Sequence, residues 1–195
     1  MKVFDGTAWI YDIALAPLEL AGLSRLRQQL ISGACGAVLE IGTGTGLNFP
    51  HYVQGARVFA LDESAEMLTT ARKRPCRVCA TVTRGDAQTL PFASGAFGAV
   101  VGTLVLCSIP DPARALFEIR RVLQPGGNLL LLEHTRGHHP VAAALTDWLH
   151  PAWYALNGSC HLNRQTACTV AEAGFKVTSI ERHAGGIVQL IRATA

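Results

Sequence analysis

The sequence predicts an α/β fold: a doubly wound, mainly parallel sheet of seven strands, with helices on both faces and one antiparallel edge hairpin. Three observations carry this expectation. Short apolar, β-branched runs alternate with amphipathic segments from residue 37 to 134, which calls for parallel strands covered on both faces. The first run, Val38 to Ile41, breaks at once into three alternate glycines, Gly42, Gly44 and Gly46, as a buried strand does when its backbone approaches a ligand. The last two runs, 176–182 and 185–192, are joined too closely for a crossover, so they pair as a hairpin.

The elements follow in order. Residues 9–31 read as helix, because Leu20, Leu23, Leu26 and Leu30 recur at spacings of three and four. Pro17 interrupts the pattern and predicts two helices, one over 9–14 and one from about residue 18. After the first strand and its glycines, 57–61 is a second strand that ends at Asp62. Ser64 can cap a helix whose Met67, Leu68 and Ala71 share a face. A weaker strand over 79–83 runs into Gly85-Asp86, and 96–107 carries the strongest buried-strand signal. Asp111 before Pro112 starts a helix with Leu116, Ile119 and Leu123 as its apolar stripe, ended by Pro125-Gly126-Gly127. A buried strand over 129–132, a helix over 141–156 and a helix over 166–173 closed by Gly174 complete the series. The chain of 195 residues is read as one domain over 1–195. Within it, 1–31 forms N-terminal helices or a lid, 37–134 a cofactor-binding core, and 135–195 the acceptor-side helices and final hairpin.

Composition excludes several classes. Hydrophobic residues make up 49% and charged ones 16%, yet no apolar run reaches the roughly 18 residues that span a bilayer. The start lacks the layout of a secretory signal, so a cytoplasmic protein is expected. A net charge of +3 without a basic block gives no support to nucleic-acid binding. Six scattered cysteines read as free thiols in a reducing compartment. Cys76 and Cys79 have redox or zinc-like spacing but no second pair, and His138-His139 lacks further ligands, so no metal site is predicted.

The chemistry sits at the strand ends. In the dinucleotide fingerprint the third glycine comes three residues after the second; here it comes after two. Glu40, just before the glycines, would repel a pyrophosphate and could bond a cationic amino group, which favours S-adenosylmethionine (SAM) over NAD. Asp62, 16 residues after Gly46, is placed to grip ribose hydroxyls, or simply to cap the next helix. Asp86 can accept from an adenine amino group, or serve as a plain loop acid. In open α/β sheets ligands bind outside such carboxyl ends.

These motifs resemble the class I SAM-dependent methyltransferases, over roughly residues 10 to 193. Glu40-Ile41-Gly42-Thr43-Gly44-Thr45-Gly46 looks like their first motif, Asp62 like the ribose-binding acid, and Gly85-Asp86-Ala87 with Leu90-Pro91-Phe92 like the adenine segment. Arg121-Val122-Leu123-Gln124-Pro125-Gly126-Gly127 is similar to the turn before their fifth strand, while Gly98 departs from the usual Asp. The resemblance implies a Rossmann-like sheet, SAM as cofactor with S-adenosylhomocysteine as product, and a cofactor set of Tyr11, Glu40, Gly42, Thr43, Gly44, Gly46, Asp62, Glu63, Met67, Asp86, Ala87, Thr103 and Leu104. A narrower similarity, carried by Thr103 to Ser108, Glu133-His134, Pro151-Ala152-Trp153 and Gly158 to Arg164, is to the alkyl-thiol S-methyltransferase branch. The hydrophobic N-terminal anchor of that branch's animal members and its usual Arg-Pro-His ending are not in this sequence.

The implied reaction is methyl transfer to a small lipophilic acceptor, a thiol in the leading reading, with a phospholipid amine or a quinone ring as alternatives. A cofactor-binding regulatory module is the non-enzymatic alternative. Partners are expected to be the acceptor and a peripheral membrane contact, with no nucleic acid and no obligate protein partner. His134, at a strand's carboxyl end, is the first candidate for a general base, or else a wall residue of the pocket; His150 and His161 follow. Trp9, Ile10, Tyr11, Ile13 and Leu15 form a lid or an ordinary core-packed helix, and Trp148 with Trp153 either lines the acceptor site or packs in the core.

Overall fold

The structure is a computed structural model that describes residues 8–195. Seven strands form one sheet in the order β3-β2-β1-β4-β5-β7-β6. They are β1 (Ala37–Ile41), β2 (Arg57–Asp62), β3 (Cys79–Arg84), β4 (Phe97–Thr103), β5 (Leu123–His134), β6 (Lys176–His183) and β7 (Val188–Thr194). The first five pair in parallel, and β7 runs antiparallel between β5 and β6. This is the doubly wound sheet with an antiparallel edge that the alternating pattern predicts. The helices are α1 (Ala8–Leu18), α2 (Ser24–Ile31), α3 (Ala65–Ala71), α4 (Pro112–Val122), α5 (Pro140–Asn157) and α6 (Thr166–Glu172).

The pleat sorts the core into two layers. Leu39, Ile41, Val100 and Leu131 point to one face with Leu116 and Ile119 of α4. Val38, Val101 and Leu132 point to the other with Leu30 and Ile31 of α2 and Phe49. Successive strand residues alternate faces, so one continuous apolar run supplies both layers. Each such fully buried side chain stabilises by about 1.5–3 kcal/mol. Strand order reverses between β1 and β4, whose pairing runs from Val38↔Ala99 to Ile41↔Gly102, and the crevice opens above that switch point.

Three local expectations are corrected. The N-terminal helix does not break at Pro17, which lies inside α1; the break is a π-helical turn, Glu19–Leu23, where Gly22 adopts φ 127°. A conformation that only glycine takes without strain decides the bend there. The long apolar run 96–107 stops being strand at Thr103, because Leu104 turns to φ 55° and 104–108 form a loop. The strand expected over 129–132 starts earlier: Phe97 pairs with Leu123, then the register shifts so that Ala99 meets Asn128. The Pro125-Gly126-Gly127 turn bulges out between them.

The caps are as read. Ser64 Oγ accepts the Met67 N–H at 3.4 Å, and Asp111 Oδ1 accepts the Arg114 N–H at 2.9 Å. Among the described residues, no helix is long and apolar enough to cross a membrane.

Candidate active site

The glycine loop is built by its backbone angles. Gly42 and Gly44 have φ of +60° and +55°. A Cβ on Gly42 would lie 2.2 Å from Val105 Cγ2, whereas a Cβ on Gly44 would meet nothing within 4 Å. Gly42 therefore allows the 104–108 loop to close on the first strand, and Gly44 keeps a space open. That space is a cavity of about 240 Å³ over the carboxyl ends of the central strands.

Asp62 closes the loop from the second strand. Its Oδ2 accepts the Gly44 N–H at 2.8 Å and its Oδ1 the Ser64 N–H at 2.9 Å. Each oxygen retains a lone pair for a further donor. Burial raises its pKa above the ordinary aspartate value, with the Ser64 and Gly44 N–H groups opposing. Glu63, Met67, Asp86, Ala87, Thr103, Leu104 and Tyr11 also line the cavity, together with Leu61 and Gly85. Asp86 has its carboxylate oriented by the Gln88 N–H at 2.8 Å. Burial pushes the Tyr11 hydroxyl up to about 12.

Other expected site residues stand elsewhere. Glu40, 1% exposed, lies behind the loop and not in the cavity wall. Tyr52 OH, Thr43 Oγ1 and Asn48 Nδ2 donate to it at 2.7, 2.8 and 3.1 Å. Burial raises its pKa, and these donors and Arg27 pull the other way. Its carboxylate thus ties β1 to the loop from below. Thr43 and Gly46 are likewise buried in the loop's scaffold. The His150 and His161 rings lie 5.2 Å apart and tilted by 33°, with Tyr154 against His161, outside the cavity wall. Five helical positions at about 100° each separate Trp148 and Trp153 by about 140°. Trp153 accordingly lines the cavity, while Trp148 is 76% exposed. Tyr11 and Leu15 face the cavity and Ile13 does not; the side chains of Trp9 and Ile10 lie outside the described residues.

The far end of the cavity is made by His134, Trp153, Ser159, Cys160, Cys107 and Ile109. Glu133, fully buried, accepts the N–H groups of Val105, Leu106 and Cys107 at 3.1, 2.9 and 3.1 Å, and so fixes the loop that carries Cys107. Arg164 donates to the carbonyls of Leu106 and Ile109 and pins the same loop from the other side. Cys160 Sγ is 3.6 Å from Cys107 Sγ and 3.9 Å from His134 Nδ1. Sharing a proton with Cys107 lowers the Cys160 pKa, and the same contact with Cys160 raises that of Cys107.

With this geometry in view, known proteins give the family. Residues 39–131 match the family model described as a methyltransferase domain. Human thiol S-methyltransferase TMT1B is 36% identical over 78% of this chain, which spans 66% of that relative's length. The demethylmenaquinone methyltransferase of Renibacterium salmoninarum is 31% identical, with 98% of this chain and 90% of the relative covered. The chain belongs to the SAM-dependent methyltransferases. A SAM-dependent methyltransferase of Thermotoga maritima shares the fold at TM-score 0.78 and 23% identity, covering 98% of each chain.

The cavity of this methyltransferase fits the cofactor. The open space at Gly44 admits a ligand against the backbone, Asp62 keeps acceptor capacity for ribose hydroxyls, and Leu61, Met67, Ala87 and Leu104 offer apolar walls for a planar base. Asp86, on the same wall, offers a further carboxylate acceptor. SAM, when bound, supplies an activated methyl group on a sulfonium.

Two supporting residues carry no mark of their role in the sequence. Arg27 of α2 is 3% exposed and donates to Thr103 Oγ1 at 2.7 Å, Asn48 Oδ1 at 2.9 Å and Glu19 Oε1 at 2.9 Å. Asp12 of α1 accepts from Thr45 Oγ1 at 2.6 Å and pairs with Arg74, which docks the N-terminal helix on the glycine loop. In sequence both read as ordinary polar positions of an amphipathic helix.

Proposed function

We propose that this methyltransferase transfers the methyl group of SAM to a small lipophilic thiol. One observation carries the reading: a single cavity runs from Gly44, Asp62 and Asp86 to Trp153, Cys160 and His134. A cofactor and an acceptor can therefore meet in it without crossing solvent. The far end has an aromatic wall and two sulfur groups, which suits an apolar, polarisable acceptor. Similarity to the human thiol S-methyltransferase supports the same choice.

The chain's residues have alignment and water exclusion as their tasks. Holding donor and acceptor in line can supply about 7–11 kcal/mol of the barrier. The acceptor must also lose its proton, since the thiolate is the nucleophile. His134 lines the acceptor end beside Cys160, within reach of an acceptor seated against Trp153. Leu18 at the cavity and the exposed Ile13 and Leu20, at 47%, 63% and 88% exposure, give the site an apolar approach. On this reading the protein works in the cytoplasm, with that rim touching a membrane peripherally while acceptors partition from it.

The test is direct. Purified protein with SAM is offered short alkyl thiols, phosphatidylethanolamine vesicles and a demethylated quinol, and S-adenosylhomocysteine is quantified. Product with thiols alone supports the reading. Product only with the phospholipid or the quinol replaces it, and tight SAM binding with no product from any acceptor makes the chain a regulatory module.

A further inference from the structure

The fold brings together three metal-ligating side chains that the sequence holds far apart. Cys107 comes from the loop after β4, His134 from the end of β5 and Cys160 from the segment after α5. Their ligating atoms lie within 4.8 Å of one another, with Cys160 Sγ 3.6 Å from Cys107 Sγ and 3.9 Å from His134 Nδ1. A tetrahedral zinc ion, with bonds of about 2.3 Å to sulfur and about 2.0–2.1 Å to nitrogen, sets neighbouring ligands about 3.6–3.8 Å apart. The two spacings to Cys160 need little adjustment, and Cys107 and His134, within 4.8 Å of one another, must close by no more than about 1.2 Å. Local spacing in the chain gives no sign of this cluster, because the three residues converge only through the sheet.

We propose that Cys107, His134 and Cys160 form a three-ligand site for zinc whose open fourth position faces the cavity and binds the acceptor thiol. Three protein ligands with one free position is the pattern of catalytic zinc rather than structural zinc. Two thiolates make the bound divalent ion neutral, which suits a cavity walled by Trp153 and Ile109. The supports are rigid: Glu133 holds the backbone of residues 105–107 by three N–H bonds, and the His161 N–H donates to the Cys107 carbonyl at 2.8 Å. Residues flanking two of the ligands are thereby fixed to each other before any ion arrives.

The inference rests on the thiol reading above and supplies its missing step. A thiol that coordinates the ion releases its proton to water at the cavity mouth, because a coordinating thiol is deprotonated outright. A lone pair of the bound sulfur then forms the new carbon–sulfur bond as the methyl–sulfonium bond breaks. That bond's electron pair returns to the cofactor sulfur. The products are a neutral thioether, a weak ligand that leaves, and S-adenosylhomocysteine. The metal's oxidation state does not change.

The test uses the full chain, reduced and freed of metal, titrated with cobalt(II) as a spectroscopic substitute for zinc. The expected result is one ion per chain with a thiolate-to-cobalt charge-transfer band, displaced by zinc. Cys107→Ser, Cys160→Ser and His134→Ala should each lose tight binding, while calorimetric SAM titration shows that their cofactor site remains. X-ray absorption of the zinc-loaded wild type, needing no variant, should give two sulfurs and one imidazole nitrogen. An oxygen and nitrogen shell without sulfur overturns the site, as does full thiol methylation by exhaustively chelated protein. The charge-transfer band with no methylation of any thiol keeps the site and overturns the thiol acceptor instead.

Discussion

The Asp62 carboxylate accepts the Gly44 N–H at 2.8 Å, so the end of the second strand holds the ligand-facing turn of the first. The same carboxylate is the acceptor available to ribose hydroxyls. Asp62→Ala is expected to weaken SAM binding by about 10–100-fold, the worth of a charge-assisted bond of about 1.5–3 kcal/mol, as read by calorimetry. Burial raises the Asp62 pKa, and the charged form is the acceptor. SAM affinity should therefore fall with acidification sooner than an ordinary aspartate would allow. An affinity unchanged in Asp62→Ala would remove the residue from the cofactor site.

Gly42 and Gly44 share a left-handed backbone but differ in surroundings. Gly42→Ala drives a Cβ into Val105 and should cost about 2–5 kcal/mol by overpacking and strain together. Gly44→Ala should cost only the strain, about 1–2 kcal/mol, and remain folded while its methyl invades the cavity. Urea midpoints and SAM titration separate the two. A Gly44→Ala protein that binds SAM normally would show that the cofactor does not approach this turn.

Glu40 gives a pH signature of stability. Its folded-state pKa is raised, first by burial, so the native protein takes up this proton more readily than the unfolded chain. The sign follows from linkage: its contribution is fully present below the unfolded carboxylate value and is lost as pH rises through the raised native one. Glu40→Gln does not titrate. The stability of wild type minus that of Glu40→Gln should thus decline from mildly acid to neutral pH in urea unfolding. A difference that grows with pH would mean that the donors around Glu40 and Arg27 outweigh its burial.

Arg27 joins α2 to the cavity floor through Thr103 and Asn48. Arg27→Met leaves those acceptors and Glu19 without their buried donor, with an expected loss of about 3–5 kcal/mol. Arg27→Lys should recover little of it, because an ammonium lacks the planar fork that reaches several acceptors at once. Thermal and urea unfolding measure both.

Trp153 stands edge-on to His134, with ring centres 6.4 Å apart and planes at 84°. Trp153→Ala should raise the acceptor KM on the order of threefold to tenfold, the worth of an aromatic contact, and leave SAM affinity unchanged. Trp148→Ala, on the solvent side of the same helix, should alter neither. Equal effects from the two would argue for loss of helix packing rather than of an acceptor wall.

The sequence by itself determined the sheet, because strand burial follows from period and apolar run length, which are local. It also brought Gly42, Gly44, Asp62, Asp86 and Thr103 to one cavity, since each sits at a strand's carboxyl end and needs only the parallel order to converge. Tertiary structure decided what depends on orientation and on distant encounters. It turned Glu40 inward to the loop's scaffold, since its neighbours Leu39 and Ile41 face the opposite layer. It buried Arg27 and separated Trp153 from Trp148. It also drew Cys107, His134 and Cys160 within 4.8 Å, over a sequence separation that no local pattern spans. Side-chain direction and long-range contact arise only once the strands are paired, and the far end of the cavity is built from those two properties.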